Sequence, residues 1–569
     1  MQMNPKFNLI VLVILLLSPG IAIAEEPDLA VIHKIKQEAF HRSKVMDYVH
    51  LIADENGPRM SGSAGYRRAA EKAVIAYKQA GIAQAELEVW GTFGRGWDWS
   101  RVAVQMKQPQ ETTLSAYPAD FSAASNGPVS GQVVFAPIWE LQSDAPENGD
   151  LEKLALQIED WKNKYRGQLH GKVVMMDHPL KFKLPQEAPN FRLSDEDLAA
   201  MGHSGYDGKI DPGPVPDLKW PLVAYPIDKD EFSRIWEVMP LEYAADRWKL
   251  EVKVNNRIVS FLLEEGVAAV LETGWAKGAG VIMHSDYGSI YDGDPIPPPS
   301  VVLMPEHYNR IHRLLKRDVP VEVEVEVKAR FYPAADGINV IAEIPGTARG
   351  SEVVMLGAHF DSWHGATGAT DNASSSAVVM EAMRILKTLD LPMRRTVRAA
   401  LWDGEEQCLC GSRAYVANHF ADPVNMELKP GHEKLSAYFN LDNGGGKIRG
   451  VYLQQNDMAR PIFQAWLEPF DDLGVSTVTI INTTGTDHLS FNAVGLPGFN
   501  FVQDPLDYSL NTHHSNVDDV GHLIPGDLMQ AAAVMAASVY HAATRPEMMP
   551  RKQLPAALPP KGELPEILK

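Results

Sequence analysis

Val353-Val354-Met355-Leu356-Gly357-Ala358-His359-Phe360-Asp361 decides the fold. It is a short apolar run, of the kind that makes a buried strand, and it ends on an imidazole and a carboxylate. The same arrangement recurs downstream. Val397 to Trp402 runs into Asp403-Gly404-Glu405-Glu406, and Leu435 to Leu441 runs into Asp442-Asn443 and three glycines. Val475 to Ile481 and Phe499 to Val502 are further strands, with His513-His514-Ser515 past the last. Helical patterns at Asn372–Leu389, Ser412–Phe420 and Leu523–Thr544 alternate with them. This order predicts an α/β fold: a mostly parallel sheet with helices on both faces.

The chain divides around that segment. A length of 569 residues predicts at least two domains. Residues 111–334 are richer in proline and in short strand-like runs, such as Gly171 to Asp177, Gly266 to Val270 and Gly278 to Met283. Val321 to Lys328 alternates valine with charge, so this stretch reads as an inserted β-rich domain. Residues 25–110 read as a helical start to the domain that resumes at 335–545. There the helix Tyr66–Gln79 stops at Gly81 and follows the turn-rich Gly57-Pro58-Arg59-Met60-Ser61-Gly62-Ser63. Residues 546–569, rich in proline and charge, are expected to be disordered.

Lys6, the apolar run Leu9–Leu17 and Ala22-Ile23-Ala24 compose a Sec-type signal peptide over residues 1–24. They predict a periplasmic or secreted protein with no stable membrane span after cleavage. The net charge of −20, from 53 basic and 73 acidic side chains, disfavours a nucleic-acid partner. Cys408 and Cys410 stand one residue apart, badly placed to bridge each other, and read as packing residues.

The strand ends carry the chemistry. Ligands of open α/β sheets gather at the carboxyl ends of strands. Here those ends offer His359 and Asp361, then Asp371, then Glu405 and Glu406, then Asp442, then the His513-His514 pair. Carboxylates and imidazoles crowded together call for cations. The inventory suits two zinc ions, with one carboxylate bridging and a position left open for water. A carboxylate that binds no metal must then move the proton, and the adjacent Glu405-Glu406 pair fits a division into base and ligand. Asp361 is placed to orient His359.

The segments Gly357–Asp361, Gly368–Ala373, Asp403–Glu406, Asn440–Asp442 and His514–Asp518 resemble the co-catalytic zinc peptidases. That family includes bacterial leucyl aminopeptidases and plasma glutamate carboxypeptidase. Gly57-Pro58-Arg59 with Gly62-Ser63 is similar to its N-terminal signature, and Thr486-Asp487-His488 to a substrate-side segment. The middle of the chain resembles a protease-associated insert. The resemblance implies His359 and Asp442 on one zinc, Glu406 and His514 on the other, Asp371 bridging, and Glu405 as general base. It also implies an exopeptidase acting on short peptides, on family frequency an aminopeptidase. A carboxypeptidase or dipeptidase is the alternative within the family. A single-zinc cyclase and an inactive receptor-like binding protein are the alternatives outside peptidases.

Overall fold

The computed structural model describes residues 26–141, 144–181, 191–203, 218–225, 239–274, 278–285 and 288–569. The signal peptide expected over residues 1–24 lies outside them. In chain order the strands are β1 (Gln84–Gln108), β2 (Thr112–Leu114), β3 (Ala116–Pro118), β4 (Val129–Phe135), β5 (Val173–Met175), β6 (Ala269–Glu272) and β7 (Ser300–Leu303). They continue as β8 (Glu322–Ile344), β9 (Arg349–His359), β10 (Arg395–Trp402), β11 (Leu435–Asn440), β12 (Ile448–Tyr452), β13 (Thr477–Thr479) and β14 (Gly498–Gln503). The principal helices are α1 (Leu29–His41), α2 (Ala64–Gln79), α3 (Leu151–Tyr165), α4 (Leu241–Glu265), α5 (Pro305–Leu315), α6 (Ser374–Thr388), α7 (Cys410–His419) and α8 (Pro525–Thr544).

The strands join into one sheet in the order β13-β12-β14-β11-β9-β10-β8-β4-β5-β6-β7-β3, with β1 beside β8 and β2 beside β1. Its stretch β14-β11-β9-β10 is parallel throughout. The period of two sorts its side chains. Val354, Leu356 and Ala358 of β9 and Val397, Ala399 and Leu401 of β10 enter one core with α1, α2, α6 and α8. Met355, Ala400 and Trp402 enter a separate core on the other face, with Tyr415 and Val416 of α7. Both faces are therefore covered, as a parallel sheet requires.

The ribbon of β1 and β8 is the surprise of the N-terminal part. Residues 84–108, expected to continue a helical region, are a single long strand paired with β8 from Gln84↔Glu343 to Gln108↔Glu322. Glycines at 91, 94 and 96 coincide with register shifts and break the alternation that would mark a strand in sequence.

The insert holds more helix than expected. Its parallel strands β4-β5-β6-β7 pack against α3, α4 and α5. Leu250, Val254, Ile258, Phe261 and Leu262 give α4 its buried stripe, and Gly266, at φ +68°, ends it. The strand expected at 278–283 reduces to one bridge, Met283↔Ser515, between the insert and the 513–515 loop.

Two further expectations are corrected. Cys408 and Cys410 form a disulfide, because Leu409 between them adopts φ +51° and turns both side chains to the same side. The segment 546–569 is packed against the protein: Met549 and Leu568 are buried, the latter in the core of α3 and α4.

Candidate metal centre

Each ligand candidate is delivered by a chain reversal at a strand's carboxyl end. His359 is the last residue of β9. Asp371 sits in the turn that enters α6, and Glu405 and Glu406 start the short helix after β10. Asp442 follows β11, and His514, at φ +57°, lies beyond β14. Gly368 and Gly404 begin two of these turns at φ +65° and +71°, a backbone that a side chain would strain.

Asp371 lies at the middle. Its Oδ1 is 3.1 Å from His359 Nε2, and its Oδ2 is 3.5 Å from His514 Nε2. Asp442 Oδ1 is 3.5 Å from the same His359 nitrogen, and Glu406 Oε2 is 3.0 Å from the same His514 nitrogen. The five expected ligands thus fall into two clusters that share one carboxylate. His359, Glu405 and Asp442 offer donor atoms within 4.8 Å of one another, as do His359, Asp371 and Glu406. His513 joins Asp371 and His514 in a third such group, but stands at 4.0 Å from Asp371, farther than His514.

The donor chemistry fits zinc, which takes imidazole nitrogen and carboxylate oxygen. Asp371 Oδ2 and Glu406 Oε1 are buried with no hydrogen-bond partner among the described residues. Such oxygens are costly unless a cation faces them. Burial, reinforced by Asp442, Asp487 and Glu406, raises Glu405 well above the ordinary carboxylate range against the pull of His359. Burial and Asp371 do the same for Glu406. A divalent ion held there would relieve this repulsion and favour the ionised form of both.

The surroundings fix the geometry. His359 Nδ1 lies 3.1 Å from the backbone oxygen of Asp361 and 3.6 Å from its carboxylate, so the ring presents Nε2 to the cluster. The Asp361 carboxylate accepts the backbone N–H groups of Glu405 and Glu406 instead.

Two more residues, quoted in the sequence motifs without a role, do similar work. Asp518 accepts the N–H groups of Thr370 at 2.6 Å and Asp371 at 3.1 Å. Burial and the nearby Asp371 raise it to about 7. Arg59 is fully buried and donates to the carbonyls of Ile52, Phe360, Thr367 and Gly368, holding the loop between His359 and Asp371. Burial lowers its pKa to about 10. Neither pattern is readable from spacing, since both depend on contacts far apart in the chain.

The cluster opens into a cavity of 1160 Å³ whose walls come from both lobes. His284 of the insert stacks on Trp363 at 3.9 Å and meets His514 edge-on at 4.9 Å. The N–H of His284 donates to the carbonyl of His514 at 3.0 Å, so the insert is pinned directly to a ligand loop. Thr486 lines the cavity while Asp487, behind it, is buried and raised by that burial to about 8.

Residues 339–539 match the model of peptidase family M28. The chain is 31% identical to carboxypeptidase Q of Mus musculus over 268 residues, 47% of this chain and 54% of that protein. It is 27% identical to aminopeptidase YwaD of Bacillus subtilis over 226 residues, 38% of this chain and 48% of that one. The matched region thus spans about half the length of these relatives. A solved peptidase M28 precursor from Shewanella amazonensis shares the fold, with a TM-score of 0.60 at 22% identity over 94% of this chain and 99% of that one.

Proposed function

We propose that this chain, whose residues 339–539 match the model of peptidase family M28, is an exported two-zinc exopeptidase acting as an aminopeptidase on short peptides. The observation that carries the reading is Asp371, one oxygen toward His359 and the other toward His514. That is the posture of a bridging ligand. His359 and Asp442 would hold one zinc, and Glu406 and His514 the other.

Bound there, zinc supplies Lewis-acid polarisation of the scissile carbonyl and of water. The chain's own groups do the rest. Glu405, which the bridging scheme leaves without a metal, takes the proton of the attacking water and returns it to the departing amine. Asp361 fixes the turn that aims Glu405, and Asp518 fixes the turn that aims Asp371.

The charge of the cavity supports action at the amino end. Beyond the proposed ligands and Glu405, Asp120 and the helix-capping Asp150 line it, with Glu251 paired to Arg247. Among the described residues Arg247 is the lone Lys or Arg on its wall, and its guanidinium is engaged by Glu251 and the carbonyls of Gly149, Leu222 and Val223. Such a wall favours a substrate ammonium and offers little to a terminal carboxylate. The identity to carboxypeptidase Q supports the second reading, cleavage from the other end or of dipeptides.

Unblocked, N-blocked and C-blocked peptides, assayed with and without chelator beside metals per chain, test the proposal. Two zincs and chelator-sensitive cleavage of free N-termini alone are expected. Cleavage of N-blocked peptides would install the second reading, and bound metal with no cleavage would refute both.

A further inference from the structure

Helix α4 forms the far wall of the cavity, and the C-terminal segment grips its back. Leu241, Trp248, Val252 and Asn255 line the cavity. Asp246, Lys253 and Arg257 meet the C-terminal segment. At about 100° per residue these two sets lie on opposite sides of the helix.

The segment is anchored at both ends. On the catalytic side Met549 N–H donates to Ser436 at 3.1 Å, Arg551 donates to the Leu435 carbonyl at 2.6 Å, and Lys552 to that of Gln454 at 2.7 Å. It then crosses to the insert. Lys561 pairs with Asp246, and Gly562 N–H donates to the Trp220 carbonyl at 2.7 Å. Lys253 and Arg257 donate to the carbonyls of Leu568 and Ile567. Leu568 itself is 1% exposed, between α3 and α4. The Arg413–Glu242 pair at 2.8 Å also ties α4 to the catalytic side.

We propose that residues 549–568 are a strap that holds α4 over the metal centre, and that the strap thereby sets the length of peptide the site accepts. This rests on the peptidase reading. The substrate class it names is the peptide of a few residues, whose whole length fits between the metal centre and α4. Longer peptides need α4 to move away, and the strap opposes that movement.

The test compares kcat/KM for a dipeptide and a decapeptide with the same N-terminal residue. Leu568→Asp puts a charge where the strap is buried and unseats its end. Because that variant could misfold, a second protein carries a specific protease site at the exposed residues 559–560, between the Leu558–Val424 backbone bond and the Lys561–Asp246 pair, cut only after folding. Cleavage of the decapeptide should rise about tenfold in both, with the dipeptide rate within about twofold. Hydrogen exchange across 241–265 reports whether the helix was released. Release of α4 with an unchanged ratio overturns the proposal, as does unchanged exchange in both proteins. A wild-type enzyme that cleaves neither peptide defeats the peptidase reading, while the exchange measurement still decides whether the strap holds the helix.

Discussion

Asp361 reaches from the end of β9 to Glu406, accepting its backbone N–H at 3.3 Å through Oδ2 while Oδ1 accepts that of Glu405 at 3.2 Å. One buried carboxylate thereby sets the position of the proposed base and of a proposed ligand, and its own backbone oxygen sets the ring of His359. Asp361→Asn presents an amide N–H to one of those backbone donors. Metal affinity should fall about 10–100-fold, the usual loss when a partner behind the ligands is removed. Chelator titration of the loaded protein measures it, and an unchanged affinity would contradict the role.

Glu405→Gln keeps the size of the side chain and removes the proton acceptor. Turnover should drop about 10²–10⁴-fold with both zincs retained. Turnover at the wild-type rate would sink the assignment of Glu405.

Asp371→Ala removes the carboxylate that faces both histidines. Metals per chain, measured after dialysis, should fall below one. A variant that keeps two zincs at full affinity refutes the bridge.

His364, which is not one of the proposed ligands, supplies a pH prediction. It is buried against Trp97, its Nε2 bonds to the Pro118 carbonyl at 2.8 Å, and its Nδ1 has no partner among the described residues. Burial lowers its pKa to about 4, against the smaller opposing effect of Pro118. The unfolded chain therefore binds more protons between about pH 4 and 6.5, so stability rises with pH in that window and is lost as pH falls through it, by up to about 3 kcal/mol. His364→Gln keeps a donor for Pro118 and removes the titration. Its denaturant midpoint should change less than that of the wild type between pH 6.5 and 4.5, and parallel curves would exclude the effect.

The catalytic half was legible because its signals are local. His359, Glu406 and Asp442 each sit within four residues of a strand that reads as one. What stayed hidden depended on distant contacts or on backbone angles. The pairing of Cys408 with Cys410 follows from the left-handed turn at Leu409, which no composition announces. The order of residues 549–568 comes from α4, about 300 residues earlier in the chain. In β1, Trp90-Gly91, Gly94 and Gly96 mask a strand whose partner, β8, begins only at Glu322.

That β1–β8 ribbon has a mechanical consequence. Two long strands run from one part of the molecule into residues 111–334, paired over almost their full lengths, beside the ties at Met283↔Ser515 and Arg413–Glu242. A lobe so mounted moves as a leaf spring does, by elastic flexing that returns to one rest position. Its softest points are the bulges around Gly91, Gly94 and Gly96, where ladder bonds are missing. Flexing at those few residues would widen the mouth of the cavity against the Met283–Ser515 bridge and the strap.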